Sequence, residues 1–228
     1  MHQSWGKLLF MHWPIAEDQL RVLIPAELEI DTFAGRAWIA VVPFTMWDTR
    51  ALPPYVPAVP GLSAMHELNV RTYVRHKGEP GVWFFSLDCN SRAAVWGART
   101  MYHLPYYNAD IELRQEGQTI DYRLRRRDQP AAEFHSSWTI GEPLPATQPG
   151  SLEFFLTERY CLYSEHGKSL YRARIHHQPW PLRSANVSSI NSTMIEAQGL
   201  QAPGGDPLLH YAEQISVDIW ALKQIETS

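Results

Sequence analysis

The sequence is short of cysteine and lysine and has no long hydrophobic run. Its two cysteines, Cys89 and Cys161, are too few for a disulfide framework and form no CxxC pair, so a reducing compartment is expected. Nowhere do about 18 apolar residues follow one another. The first ten residues lack the basic start and apolar stretch of a secretion signal. These absences predict a cytoplasmic protein that does not interact with membranes.

The common catalytic and nucleotide-binding motifs are also missing. We find no GxGxxG, P-loop, GxSxG or HExxH sequence. Ten histidines are present, but none are spaced three or four residues apart on a predicted helix, and the adjacent His176 and His177 point to opposite faces of a predicted strand. The net charge is −4, which gives no general attraction to nucleic acid. We therefore expect no metal, no cofactor and no nucleic-acid partner.

Alternating apolar residues dominate the chain. Of its 228 residues, 45% are hydrophobic, and 17 prolines lie mostly between the apolar runs. This pattern predicts one mainly β domain over residues 1–228, in which a large antiparallel sheet is covered by three or four helices. The predicted strands are 3–13, 37–44, 67–74, 82–87, 110–114, 119–127, 133–140, 170–177 and 215–222. The predicted helices are 17–23, 90–102, 152–163 and 192–198, and a long loop is predicted over 47–60.

One predicted strand, 67–74, carries polar side chains on a single face. Glu67, Asn69, Arg71 and Tyr73 share that face, whereas the intervening residues are mostly apolar. In an open sheet this face would be solvated. In a sheet that curls on itself it would point inward, and the four polar groups would need each other or a ligand. Both readings stay open at this point.

A second concentration of polar aromatic residues follows the helix predicted over 90–102. Tyr102, His103, Tyr106 and Tyr107 lie within six residues of one another. Aromatic side chains at a helix end commonly pack over the rim of a sheet. The same residues would equally suit the lining of a pocket, so these two readings also stay open.

Several longer motifs resemble a known family. They are Leu20-Arg21-Val22-Leu23-Ile24-Pro25 with Leu28-Glu29-Ile30, Glu67-Leu68-Asn69-Val70-Arg71-Thr72-Tyr73-Val74, Pro80-Gly81-Val82-Trp83-Phe84-Phe85-Ser86-Leu87-Asp88, Leu104-Pro105-Tyr106, Leu156-Thr157-Glu158-Arg159-Tyr160 and His177-Gln178-Pro179-Trp180-Pro181-Leu182. Together they resemble the uncharacterised YqjF-like, or DUF2071, proteins. That family is distantly similar to acetoacetate decarboxylase. The resemblance implies a mainly β (α+β) fold: a closed, cone-shaped antiparallel β-barrel with a few covering helices and a buried small-molecule pocket.

The resemblance to the decarboxylase does not extend to its chemistry. The decarboxylase uses two lysines after a proline, one of which forms a Schiff base with the substrate. That proline corresponds to Pro105, and the two lysine positions hold Tyr106 and Tyr107, which offer no amine. The enzyme's pocket glutamate corresponds to Glu67, and its pocket arginine falls near Trp5. A Schiff-base reaction is therefore not expected.

Two functional hypotheses follow. In the first, the protein binds a small organic acid or carbonyl compound and acts on it without a cofactor. Arg71 would then bind the anion, Glu67 would serve as acid or base, and Tyr106 and Tyr107 would donate hydrogen bonds to a carbonyl oxygen. In the alternative, the protein is a non-catalytic ligand-binding or protein-interaction barrel in which Glu67 and Arg71 form a structural ion pair. The sequence leaves ligand identity and homo-oligomer formation open.

Overall fold

The computed structural model describes residues 1–50 and 64–226. Strands make up most of this part of the chain. They are β1 His2–Ile15, β2 Glu29–Ile30, β3 Ala37–Arg50, β4 Ala64–His76, β5 Glu79–Cys89, β6 Tyr106–Glu116, β7 Thr119–Arg126, β8 Glu133–Pro143, β9 Cys161–His166, β10 Ser169–His177, β11 Leu182–Ser192, β12 Leu208–Ile219 and β13 Lys223–Ile225. The prediction of a mainly β fold is confirmed.

Three α-helices and one 3₁₀ turn accompany the strands. The helices are α1 Glu17–Arg21, α2 Arg92–Tyr102 and α3 Leu152–Thr157, and the turn is Glu196–Gln198. The hydroxyl of Ser91 accepts a hydrogen bond from the Ala94 amide and caps α2. No helix within residues 1–50 and 64–226 is long and apolar enough to cross a membrane.

The described strands belong to one sheet. Its order is β13-β10-β9-β5-β6-β7-β8-β11-β12-β1-β3-β4-β2, and two further pairings join β4 to β5 and β10 to β12. Most neighbours are antiparallel, but β5 runs parallel to both β6 and β9. A purely antiparallel sheet was therefore a wrong expectation. Helix α2 connects the two strands and brings the chain back beside the end of β5, where Tyr106 pairs with Leu87 and β6 continues in the direction of β5.

Strand β4 separates two apolar cores. Leu68, Val70 and Val74 belong to a core that contains residues of β7 and β8. Tyr73 belongs to the other core, which includes Val95 of α2 and Leu156 of α3. The alternation predicted for residues 67–74 therefore has the expected register, because successive side chains of a strand point to opposite faces. Both longer helices lie on the side of the second core.

Several predicted boundaries were wrong. Strand β3 continues to Arg50, so residues 47–50 are not loop, and residues 51–60 lie outside the described part. Helix α3 ends at Thr157, and Cys161–His166 is a strand that pairs with β10. Pairing in the sheet overrode the helical spacing of the aromatic side chains there. The helix predicted at 192–198 is a single turn at 196–198, closed by Gly199 at φ 80°.

Two buried ion pairs tie distant elements together. Arg126 of β7 donates two hydrogen bonds to Asp88 of β5, at 2.6 and 2.8 Å, and both side chains are fully buried. Arg159 after α3 donates to Asp31 at 2.6 Å. The bidentate geometry of the Arg126–Asp88 pair fixes the orientation of both side chains in a low-dielectric interior. They hold β5 and α3 in place around the second core.

Candidate functional site

A cavity of about 360 Å³ lies in the second core, beneath α2. Its walls are mostly apolar, and three polar side chains of β4 line it: Glu67, Asn69 and Arg71. The apolar walls come from seven strands, from α2 and from two loop residues. They include Trp5, Leu8, Phe10, Val42, Phe44, Met46, Met65, Phe84, Leu87, Ala94, Gly97, Ala98, Leu104, Leu162, Ile175, Trp180 and Ile219. An apolar pocket with a few convergent polar groups is typical of a small-molecule site.

Glu67 is the buried acid of this cavity. Its side chain is 2% exposed, and its Oε2 accepts a hydrogen bond of 2.7 Å from the Tyr106 hydroxyl. Burial raises the pKa of Glu67 from 4.5 to about 8. The hydrogen bonds of Tyr106 and Asn69 oppose this rise, and the negative charge of Asp88 adds to it. Near neutral pH the carboxyl group therefore exists in both its protonated and its ionised form.

Tyr106 and Tyr102 approach the cavity from beside α2. Tyr102 is the last residue of α2, and Tyr106 is the first residue of β6. The parallel pairing of β5 and β6 places Tyr106 next to Leu87, which is opposite Asn69 on β4. Burial, followed by the negative charge of Glu67, raises the pKa of Tyr106 well above 10. The Tyr106 phenol is therefore a hydrogen-bond donor throughout the physiological pH range.

Arg71 has no counter-charge among residues 1–50 and 64–226. Its side chain is 9% exposed, its Nε has no hydrogen-bond partner, and its guanidinium packs over the ring of Phe10 at 5.3 Å. No carboxylate in the described part of the chain forms an ion pair with it. The Glu67–Arg71 pair of the structural alternative is therefore not formed, because Glu67 bonds to Tyr106 instead. An unpaired buried cation is a costly arrangement in the absence of a ligand.

Three of the predicted binding residues lie away from the cavity. The Tyr73 hydroxyl donates to the Leu156 carbonyl at 2.9 Å, inside the core. His103 ends α2 in a left-handed conformation at φ 51° and stacks on His166. The ring of Tyr107 packs against the guanidinium of Arg126, whose Cζ is 4.0 Å from the ring centre. The structure thus brings Glu67, Asn69, Arg71, Tyr102 and Tyr106 together and leaves these three outside.

Lysine is missing from the described residues that line the cavity. Lys77 and Lys168 lie in exposed turns, and Lys223 is exposed on β13. Lys7 lies on β1 with φ 47°, where the pairing with β3 shifts register. Trp5, which stands near the position of the decarboxylase arginine, lines the cavity and donates from its indole to Gln3.

Sequence reasoning missed the aromatic wall opposite β4. Trp180 packs edge-on against Phe10 at 5.1 Å, and its indole nitrogen has no hydrogen-bond partner within the described residues. Its position is fixed by Glu158, whose carboxylate accepts from the Trp180 amide at 3.0 Å and from the Tyr160 hydroxyl at 2.6 Å. Both residues lie in motifs that carried the family resemblance. Those motifs were the sequence feature that could have identified Trp180 and Glu158 as part of the site.

Among the residues that the structure describes, no three histidine, cysteine, aspartate or glutamate side chains group as metal ligands do. The two cysteines are buried and free. Burial raises the pKa of Cys89 to about 12, so this thiol is a poor nucleophile. The chemistry available in the cavity therefore belongs to the carboxyl, phenol, amide and guanidinium groups named above.

Solved structures with a similar fold include two named enzymes. The enduracididine biosynthesis enzyme MppR, solved with pyruvate, has a TM-score of 0.66 and 12% sequence identity, with 98% of this chain and 89% of that chain covered. Acetoacetate decarboxylase from Legionella pneumophila has a TM-score of 0.63 and 13% identity, with 99% and 87% covered. The expected likeness of fold to acetoacetate decarboxylase is confirmed.

Comparison of sequences gives the family. The uncharacterized protein YqjF of Bacillus subtilis (strain 168) is 45% identical over 225 residues, which cover 98% of this chain and 92% of YqjF. The family model DUF2071, described as an uncharacterized conserved protein, matches residues 2–216. This match spans both sides of the cavity, from Trp5 to Trp180. The chain therefore belongs to the DUF2071 family.

Proposed function

We propose that the protein binds a small, partly apolar organic acid or carbonyl compound in this cavity and acts on it without a Schiff-base lysine or a cofactor. The observation that carries the proposal is an unpaired buried Arg71 in the same apolar cavity as a buried Glu67. Two ionisable groups without ion-pair partners destabilise a folded chain. Such groups are typical of sites that are completed by a ligand.

Each polar group has a role in this proposal. Arg71 binds the anionic end of the ligand through charge-assisted hydrogen bonds. Glu67 transfers a proton, since a carboxyl group with a pKa of about 8 can act as general acid or general base near neutral pH. The hydroxyl of Tyr106, now bonded to Glu67, stabilises developing negative charge on a carbonyl oxygen.

The proposal includes a sheet that closes into a cone-shaped barrel around the cavity. The pairings of β4 with β5 and of β10 with β12 support closure, because each joins strands that stand far apart in the sheet order. In a closed sheet, the side chains on the inward face of β4 line the interior of the barrel. The solved relatives of this fold support a small-molecule cavity, since MppR was solved with pyruvate.

Calorimetric titration with a panel of monocarboxylic acids tests binding. We expect Ala94→Leu, which extends a side chain into the cavity, and Arg71→Met, which removes the cation, to abolish binding. Ala146→Leu and Arg125→Met change exposed residues and serve as matched controls that bind normally. Equal binding by all four variants would place the ligand outside the cavity and contradict the proposal.

Product analysis by NMR tests catalysis with any acid that binds. Glu67→Gln keeps a hydrogen-bond partner for Tyr106 but cannot transfer a proton. We expect it to bind the acid and to convert it more slowly, by roughly 10²–10⁴-fold, than the unchanged protein. Binding without conversion in the unchanged protein would instead support a non-catalytic binding function.

A further inference from the structure

The polar groups of the cavity lie at two separate places along β4. Glu67 and Arg71 are four residues apart on one strand face, which separates their Cα atoms by about 13 Å. Arg71 extends toward Phe10 and Tyr73, whereas Glu67 bonds to Tyr106 of β6. The two groups therefore contact different ends of any ligand in the cavity.

Arg71 is the cation without an ion-pair partner at its end of the cavity, among the described residues. Arg159 lies nearby on the Tyr73 ring, but it is paired with Asp31 at 2.6 Å. His12 and His177 also lie close, and burial, with a contribution from Arg71, lowers the pKa of both below 6.5, so both rings are neutral at pH 7. A single uncompensated cation matches one carboxylate group and disfavours a ligand with two negative charges at this end.

The Glu67 end is uncharged when its carboxyl group is protonated. The groups that face Glu67 are Asp88 and Cys89 of β5, Asn69 of β4 and Tyr106 of β6. While the Tyr106 hydroxyl donates to Oε2, the O–H of the protonated carboxyl remains as a hydrogen-bond donor in a mostly apolar wall. This end suits a neutral oxygen, such as that of a ketone or an alcohol.

The wall between the two ends is apolar apart from one amide. Asn69 stands midway on β4, 4% exposed, and its Oδ1 has no hydrogen-bond partner among the described residues. Val42 and Leu87 are its neighbours on β3 and β5. A chain of methylene groups or an aromatic ring would fill this stretch and bury its apolar surface.

We infer that the ligand is a monocarboxylate with an apolar carbon skeleton and a second, uncharged oxygen group at a distance from the carboxylate. This inference rests on the proposed function. The two Cα atoms are about 13 Å apart along the strand and the two side chains reach different partners, so the two oxygen groups of the ligand are separated by several carbon–carbon bonds. A short 2-oxo or 3-oxo acid contacts one end of the cavity only. The ligand class therefore differs from acetoacetate.

Calorimetric titration with octanoate, 7-oxooctanoate and acetoacetate tests this inference. We expect 7-oxooctanoate to bind about tenfold more tightly than octanoate, as one added hydrogen bond would give, and acetoacetate to bind most weakly. Glu67→Leu should remove the advantage of 7-oxooctanoate over octanoate. Arg71→Met should abolish binding of both eight-carbon acids. Glu112→Leu changes an exposed carboxylate and is the matched control.

The outcomes separate this inference from the proposed function. If octanoate and 7-oxooctanoate bind equally, or if acetoacetate binds best, the inference fails and binding of an acid at Arg71 stands. If no acid binds, or if Arg71→Met has no effect, both fail. A phenyl-substituted acid, 4-(4-acetylphenyl)butanoate, compares an aromatic with an aliphatic skeleton. Tighter binding of either skeleton supports the inference, provided that Glu67→Leu removes the benefit of its carbonyl group.

Discussion

At the residue scale, the burial of Arg71 without an ion-pair partner indicates a ligand-binding site. Its guanidinium is buried against Phe10 and Tyr73, and no carboxylate in residues 1–50 and 64–226 pairs with it. Aromatic rings offset part of the cost of burying the charge, but an ion pair of the kind that Arg126 makes with Asp88 is missing. A residue that lowers the stability of the empty protein is expected where a ligand completes the interaction.

Arg71→Met tests this trade-off. Methionine keeps the length and apolar contacts of the side chain and removes the unpaired charge. We expect the free energy of unfolding to rise by about 1–3 kcal/mol, as measured by urea denaturation, while binding of the acid is lost. Arg125→Met, at an exposed position, should change the free energy of unfolding by no more than about 0.5 kcal/mol. A large destabilisation by Arg71→Met would show that Arg71 has a structural role.

The titration of Glu67 makes stability depend on pH. The pKa of this carboxyl is about 8 in the folded chain, against 4.5 without burial, so the folded state holds the proton more tightly. Its contribution is fully present below pH 4.5 and is lost as the pH rises through 8. We expect the free energy of unfolding to fall between about pH 5 and about pH 9. The fall should be smaller in Glu67→Gln, and equal slopes in both proteins would contradict the raised pKa.

At the scale of single elements, neighbouring residues of β7 and of α2 differ strongly in burial. The four arginines from Arg123 to Arg127 differ sharply, since Arg126 is fully buried on Asp88 whereas the side chain of Arg125 is 79% exposed. Strand alternation causes this difference. On α2, Val95 packs into the core, Trp96 is exposed, and Gly97 faces the cavity. The small residues of α2 leave the cavity space beneath it.

The Asp88–Arg126 pair is expected to hold β5 and β7 together. Arg126→Met leaves the Asp88 carboxylate buried without a cation, and burial already raises the pKa of that group. We expect a loss of about 3–5 kcal/mol in the free energy of unfolding. The neighbouring Arg125→Met is the matched control. A similar small effect of both substitutions would show that the buried pair does not stabilise the fold.

Gly97 weakens α2 without a steric need for glycine. The nearest atom to an added Cβ is Met101 Cε at 3.6 Å, which is an ordinary contact. Gly97→Ala should therefore raise the free energy of unfolding by about 0.5–1 kcal/mol through the lower backbone entropy of alanine. Thermal unfolding followed by circular dichroism measures the change. A lower midpoint would indicate that α2 needs the conformational freedom of glycine.

For the whole molecule, the fold resembles that of acetoacetate decarboxylase, and the described residues that line the cavity include no lysine. Fold and chemistry are separable because catalysis depends on a few side chains placed on the scaffold. Here Tyr106 lies in the cavity and no lysine lines it among the described residues. Among the described residues, the cavity lining therefore combines the Arg71 guanidinium with a carboxyl group of raised pKa, and it contains no lysine.

Borohydride trapping tests this separation. An imine requires a neutral amine in contact with the carbonyl compound, and Lys77, Lys168 and Lys223 are exposed at turns or on β13. We expect incubation with acetoacetate and borohydride to leave the intact mass unchanged. Lys7→Met should behave identically. A trapped adduct that disappears in Lys7→Met would show that an amine on β1 has replaced the lysine pair.

Local sequence determined the strand-rich class and the two faces of β4. The alternation of Glu67, Asn69 and Arg71 with Leu68 and Val70 depends only on the two-residue period of a strand, so it could be read without coordinates. The sequence also shows that Tyr106 and Tyr107 occupy the two positions that are lysine in the decarboxylase. The same local patterns misplaced the end of α3, where pairing of β9 with β10 prevailed over helical spacing.

Tertiary structure alone decided which polar groups share the cavity. Tyr73 has the same strand face as Glu67, yet its hydroxyl bonds to Leu156, whereas Tyr106 reaches Glu67 because β6 pairs in parallel with β5. Trp180 lines the cavity because its backbone amide is held by the Glu158 carboxylate. These contacts join residues far apart in sequence, and no local period encodes them. The strand pairing and the packing of α2 over the cavity determined them.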